Sequence, residues 1–510
     1  MASSSNFLLG AIDQGTSSTR FIVFDQNGKN VAHHQTEFPQ IYPRAGWAEH
    51  DPLVILETVT RCIEKTFTKL EAQGYHRSDV KGIGITNQRE TTVVWDKRTG
   101  KPLHNAIVWL DARTAPTVEA LAEATPNGKT DYWQPICGLP LSTYFSGVKL
   151  RWLLDHVPLV ESAMKNETLM FGTVDSWLIY NLTGGVNGGV HVTDVTNASR
   201  TMLMSLKTLD WDDSICRFFG ISKSILPKIV SSAEVYGVMA SGPLKGVPVG
   251  GCLGDQQAAL VGQRCFEIGQ VKNTYGTGCF MLFNTGSTPV ISRNGLLTTV
   301  GYQLGKDSPV IYALEGSIQI AGAAIKWLRD NLGIIKESAE INELAGEVED
   351  TAGVYFVPAF GGLFAPYWRD DARGTIVGLT QYSTKQHLAR ATLEAMCFQS
   401  REVIDAMNED SGQDLKLLKV DGGASNSDIC MQIQADLLGI PVERPKMRES
   451  TALGAAIAAG LAVKLWKSID DVVMSDGSDL FMPKISSEER ETRLAEWKKA
   501  VSKSLGWATR

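Results

Sequence analysis

A chain of 510 residues is too long for one compact core and divides into two or three domains. Its 43% hydrophobic and 21% charged residues are the make-up of an ordinary globular protein that buries a core without disulfides or structural metals. The formal net charge of -7, with acids and bases interspersed, offers no basic stripe for nucleic acid and no polybasic anchor for a membrane, which leaves small-molecule chemistry as the expectation.

The strand pattern begins by Phe7, so no signal or transit peptide is expected before it. Three strands are predicted from Phe7 to about Phe38, broken at Gly15 and Gly28. A helix follows at about Pro52 to Gln73, with Asp51 as N-cap, Pro52 at the first helical position and Gly74 at the stop. Val80–Thr86 and Thr91–Trp95 read as further strands, and strands alternating with long helices indicate an α/β architecture. Leu121–Ser142 and Gly184–Val192 read as loops on the substrate side.

Gly246–Gly254, crowded with Pro248 and glycines, is the expected domain junction, dividing the chain into 1–252 and 253–510. Beyond it, Val271–Tyr275, Val354–Pro358 and Leu417–Val420 fit strands. Helical periodicity marks Gly316–Asn331, Lys385–Asn408, Asp428–Leu438, Ala452–Lys464 and Ser487–Leu505. The longest apolar stretch, Ala452–Val463, is too short and too rich in Gly and Ala to span a bilayer. The eight cysteines (Cys62, Cys137, Cys216, Cys252, Cys265, Cys279, Cys397, Cys430) show no metal or disulfide spacing, so free thiols and a cytoplasmic location are expected.

One pattern occurs twice. Asp13 to Arg20 precedes the apolar run FIVFDQNG, and Tyr275 to Gly278 precedes CFMLFNTG. Each reads as strand, tight loop of glycine and hydroxyl residues, and returning strand, because glycine tolerates positive φ. Such a loop aims backbone N–H groups and hydroxyls at one spot, which suits phosphate. Two of them suggest related halves gripping one polyphosphate from opposite sides, although thirteen positions separate Gly15 from Gly28 and ten separate Gly276 from Gly286. Neither the P-loop nor the dinucleotide-binding glycine fingerprint is present. The Asp421–Ala424 turn after a strand is a third phosphate candidate, and each loop taken singly is equally a plain turn.

Asp13 beside phosphate-binding N–H groups would repel the phosphate unless a cation lies between, and Mg²⁺, which needs only one or two carboxylates, resolves that conflict. Asp255, before the helical run AALVG, is either a helix N-cap or a general base. Arg89 and Glu90 are either a solvated ion pair at a strand end or a fork and bidentate acceptor for the hydroxyls of a polyol. Trp109, Tyr144 and Phe280 are core aromatics or ring surfaces for the carbon face of that ligand.

These residues sit in segments that resemble the FGGY carbohydrate kinases: GAIDQGTSSTR, TNQRETTVVWD, CGLPLSTYFS, TDVTNASRTM, GCLGDQQAALVGQ, NTYGTGCF and ALEGS. Two family signature stretches are present as well, YFSGVKLRWLLDH at 144 to 156 and GLTQYSTKQHLARATLE at 378 to 394. The likeness runs from about Leu9 to near Trp497. It implies an α/β fold of two domains of the actin, hexokinase and Hsp70-like ATPase architecture, with RNase H-like cores and an interdomain catalytic cleft. It further implies ATP as co-substrate, Mg²⁺, and phosphorylation of a terminal hydroxyl of glycerol.

By that resemblance Arg89, Glu90, Trp109, Tyr144, Asp255, Gln256 and Phe280 fall on the polyol pocket, with Asp255 as catalytic base. Asp13 and Asp255 fall where the metal is positioned, and Thr16, Ser17, Ser18 and Arg20 match the first phosphate loop. Thr277, Gly322, Lys326, Gly423 and Ser427 match ATP-contact positions of the second domain. Two of these depart from the pattern: the usual asparagine stands at Asn426, one residue before Ser427, and Lys326 replaces a frequent glutamine. A shift of one residue on a helix start turns a side chain by about 100°. A homodimer or dimer-based tetramer follows only by analogy. A pentulose or tetritol kinase and a nucleotide-gated chaperone or filament subunit are the alternatives to test, since the same architecture hosts all three.

Overall fold

The computed structural model describes residues 7–472 and 477–508. The first strands are β1 (Leu8–Gln14), β2 (Ser18–Asp25) and β3 (Asn30–Glu37), followed by helix α1 (Pro52–Ala72) and β4 (Val80–Asn87). The Asp51 carboxylate accepts the Leu53 N–H at 2.8 Å, and Gly74 at φ 85 ends the helix. These are the cap and stop that the sequence signals. The sheet is completed by β5 (Ala233–Val238) and β6 (Pro248–Gly254), in the order β5-β6-β4-β1-β2-β3.

The second sheet comprises β7 (Val271–Tyr275), β8 (Cys279–Gly286), β9 (Leu297–Tyr302), β10 (Ile311–Ile318), β11 (Leu418–Asp421), β12 (Val442–Pro445) and β13 (Ser478–Phe481). Its order is β9-β10-β8-β7-β11-β12-β13. The two sheets share one plan. In the first, β1 pairs antiparallel with β2, β2 antiparallel with β3, β1 parallel with β4, and β4 parallel with β6. In the second, β7, β8, β10, β11 and β12 repeat those five places with the same directions. The doubled loop pattern is therefore the visible part of a doubled topology.

Helix α2 (Asp255–Gly262) follows β6, and helices α3 (Gly322–Asp330), α4 (Lys385–Ser411), α5 (Asp428–Leu438), α6 (Ser450–Ala462) and α7 (Ser487–Lys503) belong to the second half. Helices α2 and α6 cross at reciprocal glycines. A Cβ on Gly262 would lie 1.9 Å from the Ser450 carbonyl oxygen, and one on Gly454 would lie 1.9 Å from that of Ala258. Only glycine permits backbones to approach so closely.

Several expectations need correction. The glycine-rich stretch at 246 to 254, expected as the domain junction, is ordered sheet: Pro248–Gly254 is a strand of the first sheet, and the chain passes to the second sheet only after α2. Two of its glycines make room for α6, since a Cβ on Gly251 would meet Ala459 N at 2.5 Å and one on Gly250 the Ala462 Cβ at 2.9 Å; Gly84 of the adjacent β4 does the same, its Cβ meeting Ala455 O at 2.0 Å. The segment read as a helix from Gly316 is strand up to Ile318, and the helix starts at Gly322. The stretch 121 to 142 contains the end of a helix at Ala115–Glu123 and a short helix at Gln134–Cys137. The first-half strand near Thr91 runs from Val93 to Asp96.

Candidate active site

The two loops close on one cavity. Gly15 donates its N–H to the Ser18 carbonyl at 2.9 Å, and Gly276 donates to the Gly278 carbonyl at 2.8 Å. None of these three glycines has positive φ; the left-handed ones are the later turn glycines, Gly28 at 76 and Gly286 at 81. Gly278 is needed for a different reason, because a Cβ there would lie 2.3 Å from the Ile318 carbonyl oxygen. Thr16 and Ser17 from one loop and Gly276, Thr277 and Gly278 from the other line a cavity of about 1050 Å³.

All seven expected polyol positions line that cavity: Arg89, Glu90, Trp109, Tyr144, Asp255, Gln256 and Phe280. The rings gather, with Trp109 5.6 Å from Tyr144 and 6.3 Å from Phe280 between centroids. The Trp109 indole N–H donates to Thr16 Oγ1 at 2.9 Å, tying the aromatic wall to the first loop. These are walls of a site and not buried core rings, since each keeps part of its surface open.

Arg89 and Glu90 are not a solvated pair. Both are buried, and each finds its partner elsewhere in the chain. Arg89 binds both oxygens of Glu315, one of them through Nη2 at 2.9 Å, while its Nε lies 3.2 Å from Asp255 Oδ1. Glu90 accepts from Arg200 Nε at 2.6 Å, and Arg200 Nη2 lies 3.3 Å from Glu315. Glu90 holds a left-handed backbone, φ 60, a conformation that costs a residue with a side chain and recurs at functional sites. Burial alone would raise Glu315, but the Arg200 and Arg89 guanidiniums overcome it and hold the carboxyl at about 2. Glu90, with less compensation, is raised by its burial.

Asp255 is the first residue of α2, with Gly254 in the capping position, so it is not the N-cap. Its carboxylate accepts the Gln256 N–H at 2.7 Å and opens to the cavity. Burial raises its carboxyl above the ordinary range, with the charges of Arg89 and Lys272 opposing. Asp13, at the end of β1, is raised to about 6, first by burial, against Arg20 3.9 Å away.

The remaining nucleotide positions lie outside the lining of this cavity. Ser18 opens β2. Arg20 is held by Glu449 at 2.8 Å and Gln35 at 3.0 Å. Gly322 donates its N–H to the Gly276 carbonyl at 3.1 Å, and Ala321 donates to that of Thr277 at 2.9 Å, so the start of α3 braces the second loop from behind. Lys326 is exposed one turn along that helix. Gly422 packs against the Tyr275 backbone, and Gly423 beside it faces open space. Ser427 caps α5, its Oγ accepting the Cys430 N–H at 3.0 Å, while Asn426 is exposed.

Sequence reasoning left out Glu315, Arg200 and Lys272, all buried and all bonded to site residues. The signal was available: Glu315 and Arg200 stand inside the segments ALEGS and TDVTNASRTM, and the Glu315 charge, set in an apolar strand, needs a partner when buried.

A family model for the N-terminal domain of the FGGY carbohydrate kinases matches residues 8–262, and its C-terminal counterpart matches 271–463. The chain belongs to the FGGY family of carbohydrate kinases. Its two-domain α/β fold is that of the family. It is 56% identical over 500 residues to a glycerol kinase of Roseiflexus sp., covering 98% of this chain and 99% of that one. It is 54% identical over 516 residues to a glycerol kinase of Arabidopsis thaliana, covering 99% and 98%. Among solved structures, glycerol kinase of Plasmodium falciparum with ADP superposes with a TM-score of 0.90 at 39% identity over 98% of each chain. As an FGGY kinase the chain is a phosphotransferase, and all eight of its cysteines are free and buried. No helix among the described residues is long and apolar enough to cross a membrane.

Proposed function

We propose that the cleft transfers the γ-phosphoryl group of ATP to a terminal hydroxyl of glycerol, giving sn-glycerol 3-phosphate and ADP. The observation that carries this reading is the shared cavity: a carboxylate, Asp255, opens into the same space as the Arg89 and Glu90 ion network, the three rings and both loops. The likeness to glycerol kinases over nearly whole chains supports glycerol as the acceptor.

Arg89 Nε and the Gln256 N–H orient Asp255, so that its oxygens can take the hydroxyl proton as the phosphoryl group leaves. Glu90 commits one carboxylate oxygen to Arg200 and keeps the other for polyol hydroxyls, while Tyr144 presents a phenol kept neutral by burial. Trp109 and Phe280 cover the carbon edge. Thr16, Ser17 and Ser18, with Arg20, take one side of the triphosphate; Thr277, Gly322, Lys326, Gly423 and Ser427 take the other.

Asp13 suits a hard cation, because its carboxylate accepts no hydrogen bond among the described residues and its environment adds the negative charges of Glu449 and Asp255. Asp13 and Asp255 would hold Mg²⁺, which would supply charge neutralisation for the transferred group. Residence in the cytoplasm fits eight free buried thiols, and assembly as a homodimer or dimer-based tetramer completes the reading.

The test is product formation from ATP, with and without Mg²⁺, using glycerol, erythritol and xylulose. The expected result is Mg²⁺-dependent glycerol 3-phosphate with the highest kcat/KM for glycerol. Preference for xylulose would shift the reading to a pentulose kinase, and ATP turnover indifferent to any polyol would refute it.

A further inference from the structure

Lys272 is fully buried as the second residue of β7, yet it carries a charge-bearing group into the wall of the cleft. Its ammonium donates to Gln256 Oε1, to Thr274 Oγ1 at 3.0 Å and to the Phe280 carbonyl at 3.2 Å. An ammonium has three N–H donors and no acceptor. All three are therefore spent on the wall, and none remains for a ligand. Two of the three acceptors belong to residues that line the cavity as polyol positions, Gln256 and Phe280, and Thr274 lines it too.

The consequence is directional. Because Lys272 can only donate, the oxygen of the Gln256 amide must face it, and the nitrogen must face away. No residue among those described accepts from Gln256 Nε2. The amide of a glutamine left free could present either end, whereas this one presents N–H groups.

We infer that Lys272 is a positioning residue of the acceptor pocket: it locks the Gln256 amide so that the pocket offers a hydrogen-bond donor, and so selects an acceptor substrate with an oxygen lone pair at that place. The group never touches substrate. It acts through Gln256 and through the Phe280 backbone, which it holds at the height of the aromatic wall. Burial pushes its ammonium down to about 8, with the carboxylates of Asp421 and Asp255 opposing, so it is the type of buried cation whose removal is felt by its partners.

This inference rests on the proposed kinase reading, and a double-mutant cycle separates the two. KM and kcat for glycerol and for ATP are measured on the wild-type chain, Lys272→Met, Gln256→Ala and the double variant. The expected result is a KM for glycerol raised about tenfold or more by Lys272→Met, with the KM for ATP changed less than about threefold. In the Gln256→Ala background the same change is expected to add less than about threefold, because the residue it acts through is gone. Fold-changes that multiply independently, or an equal rise in both KM values, would overturn the inference while leaving the kinase reading intact.

Lys272→Met strips three acceptors of their donor and can unfold the chain, so Gln256→Glu supplies an independent arm. It keeps an oxygen for Lys272 but turns a carboxylate oxygen to the cavity. It is expected to retain the wild-type unfolding temperature and to raise the KM for glycerol about tenfold or more. Wild-type affinity in this variant would show that no donor is needed there. If the wild-type chain phosphorylates a different polyol, the kinase reading is what changes, and the cycle is run on that polyol.

Discussion

Arg89 and Glu315, 226 positions apart, meet in a two-pronged ion pair at the floor of the cleft. One stands just after a strand of the first sheet and the other within a strand of the second. Arg200 joins them through the same carboxylate. The pocket floor is thus built across the two halves, and the buried carboxylate that holds it lies beneath the lining, two residues before Ser317 of the same strand, which does face the cavity.

Removing that carboxylate should therefore be felt first as lost stability. Glu315→Ala leaves two buried guanidiniums without their shared anion, and breaking a buried pair costs about 3–5 kcal/mol. Urea unfolding of the variant beside the wild type measures it. A cost below about 1 kcal/mol would mean that water or Glu90 compensates.

Asp255→Asn should separate chemistry from binding. The variant keeps the side-chain size and removes the proton acceptor, so kcat is expected to fall about 10² to 10⁴ with a much smaller change in KM. Because burial already disfavours the Asp255 charge, no loss of thermal stability is expected. Steady-state kinetics and a melting curve decide it together; an unchanged kcat would take Asp255 out of the mechanism.

Gly454→Ala tests whether the helix crossing supports the site. The new methyl would stand 1.9 Å from the Ala258 carbonyl, so α6 must move away from α2. Overpacking of this kind costs about 1–3 kcal/mol or more. Asp255 opens α2, three residues before Ala258, so kcat is expected to fall as well. Loss of stability with full activity would show that the strain is absorbed on the α6 side.

Lys149 sets a pH dependence of stability. Its buried ammonium donates to the carbonyls of Thr143 and Tyr144, and burial lowers it to about 7 from an ordinary value of 10.5. Between those values the unfolded chain holds a proton that the folded chain has shed. Stability from this group is therefore present at high pH and is lost as pH falls through about 7, with a slope of up to about 1.4 kcal/mol per pH unit in between. Lys149→Met should flatten that slope in urea unfolding from about pH 7 to about pH 9. An unchanged slope would assign the dependence to other groups.

Local chemistry made much of the architecture legible. Asp51, Pro52 and Gly74 mark the ends of α1 within a residue or two, and the spans of α5 and β7 coincide with their expected limits. The paired loops also announced themselves, because a tight turn between two strands needs small and hydroxyl residues wherever it occurs. The stretch at 246 to 254 was misread for the same reason in reverse: its glycines serve contact with α6 more than two hundred positions away, and nothing local distinguishes that from a linker.

The sequence by itself determined the alternation of strands and helices, the two loops, and the family segments that mark seven residues for one pocket, because caps, turns and periodicity are properties of neighbours along the chain. Only the tertiary structure decided that Arg89 would answer to Glu315, Glu90 to Arg200, and Gln256 to Lys272. The physical reason is burial: a charge withdrawn from water must be matched by whichever partner the packing of distant strands brings within reach, and the packing of two sheets is not written in any one stretch of residues.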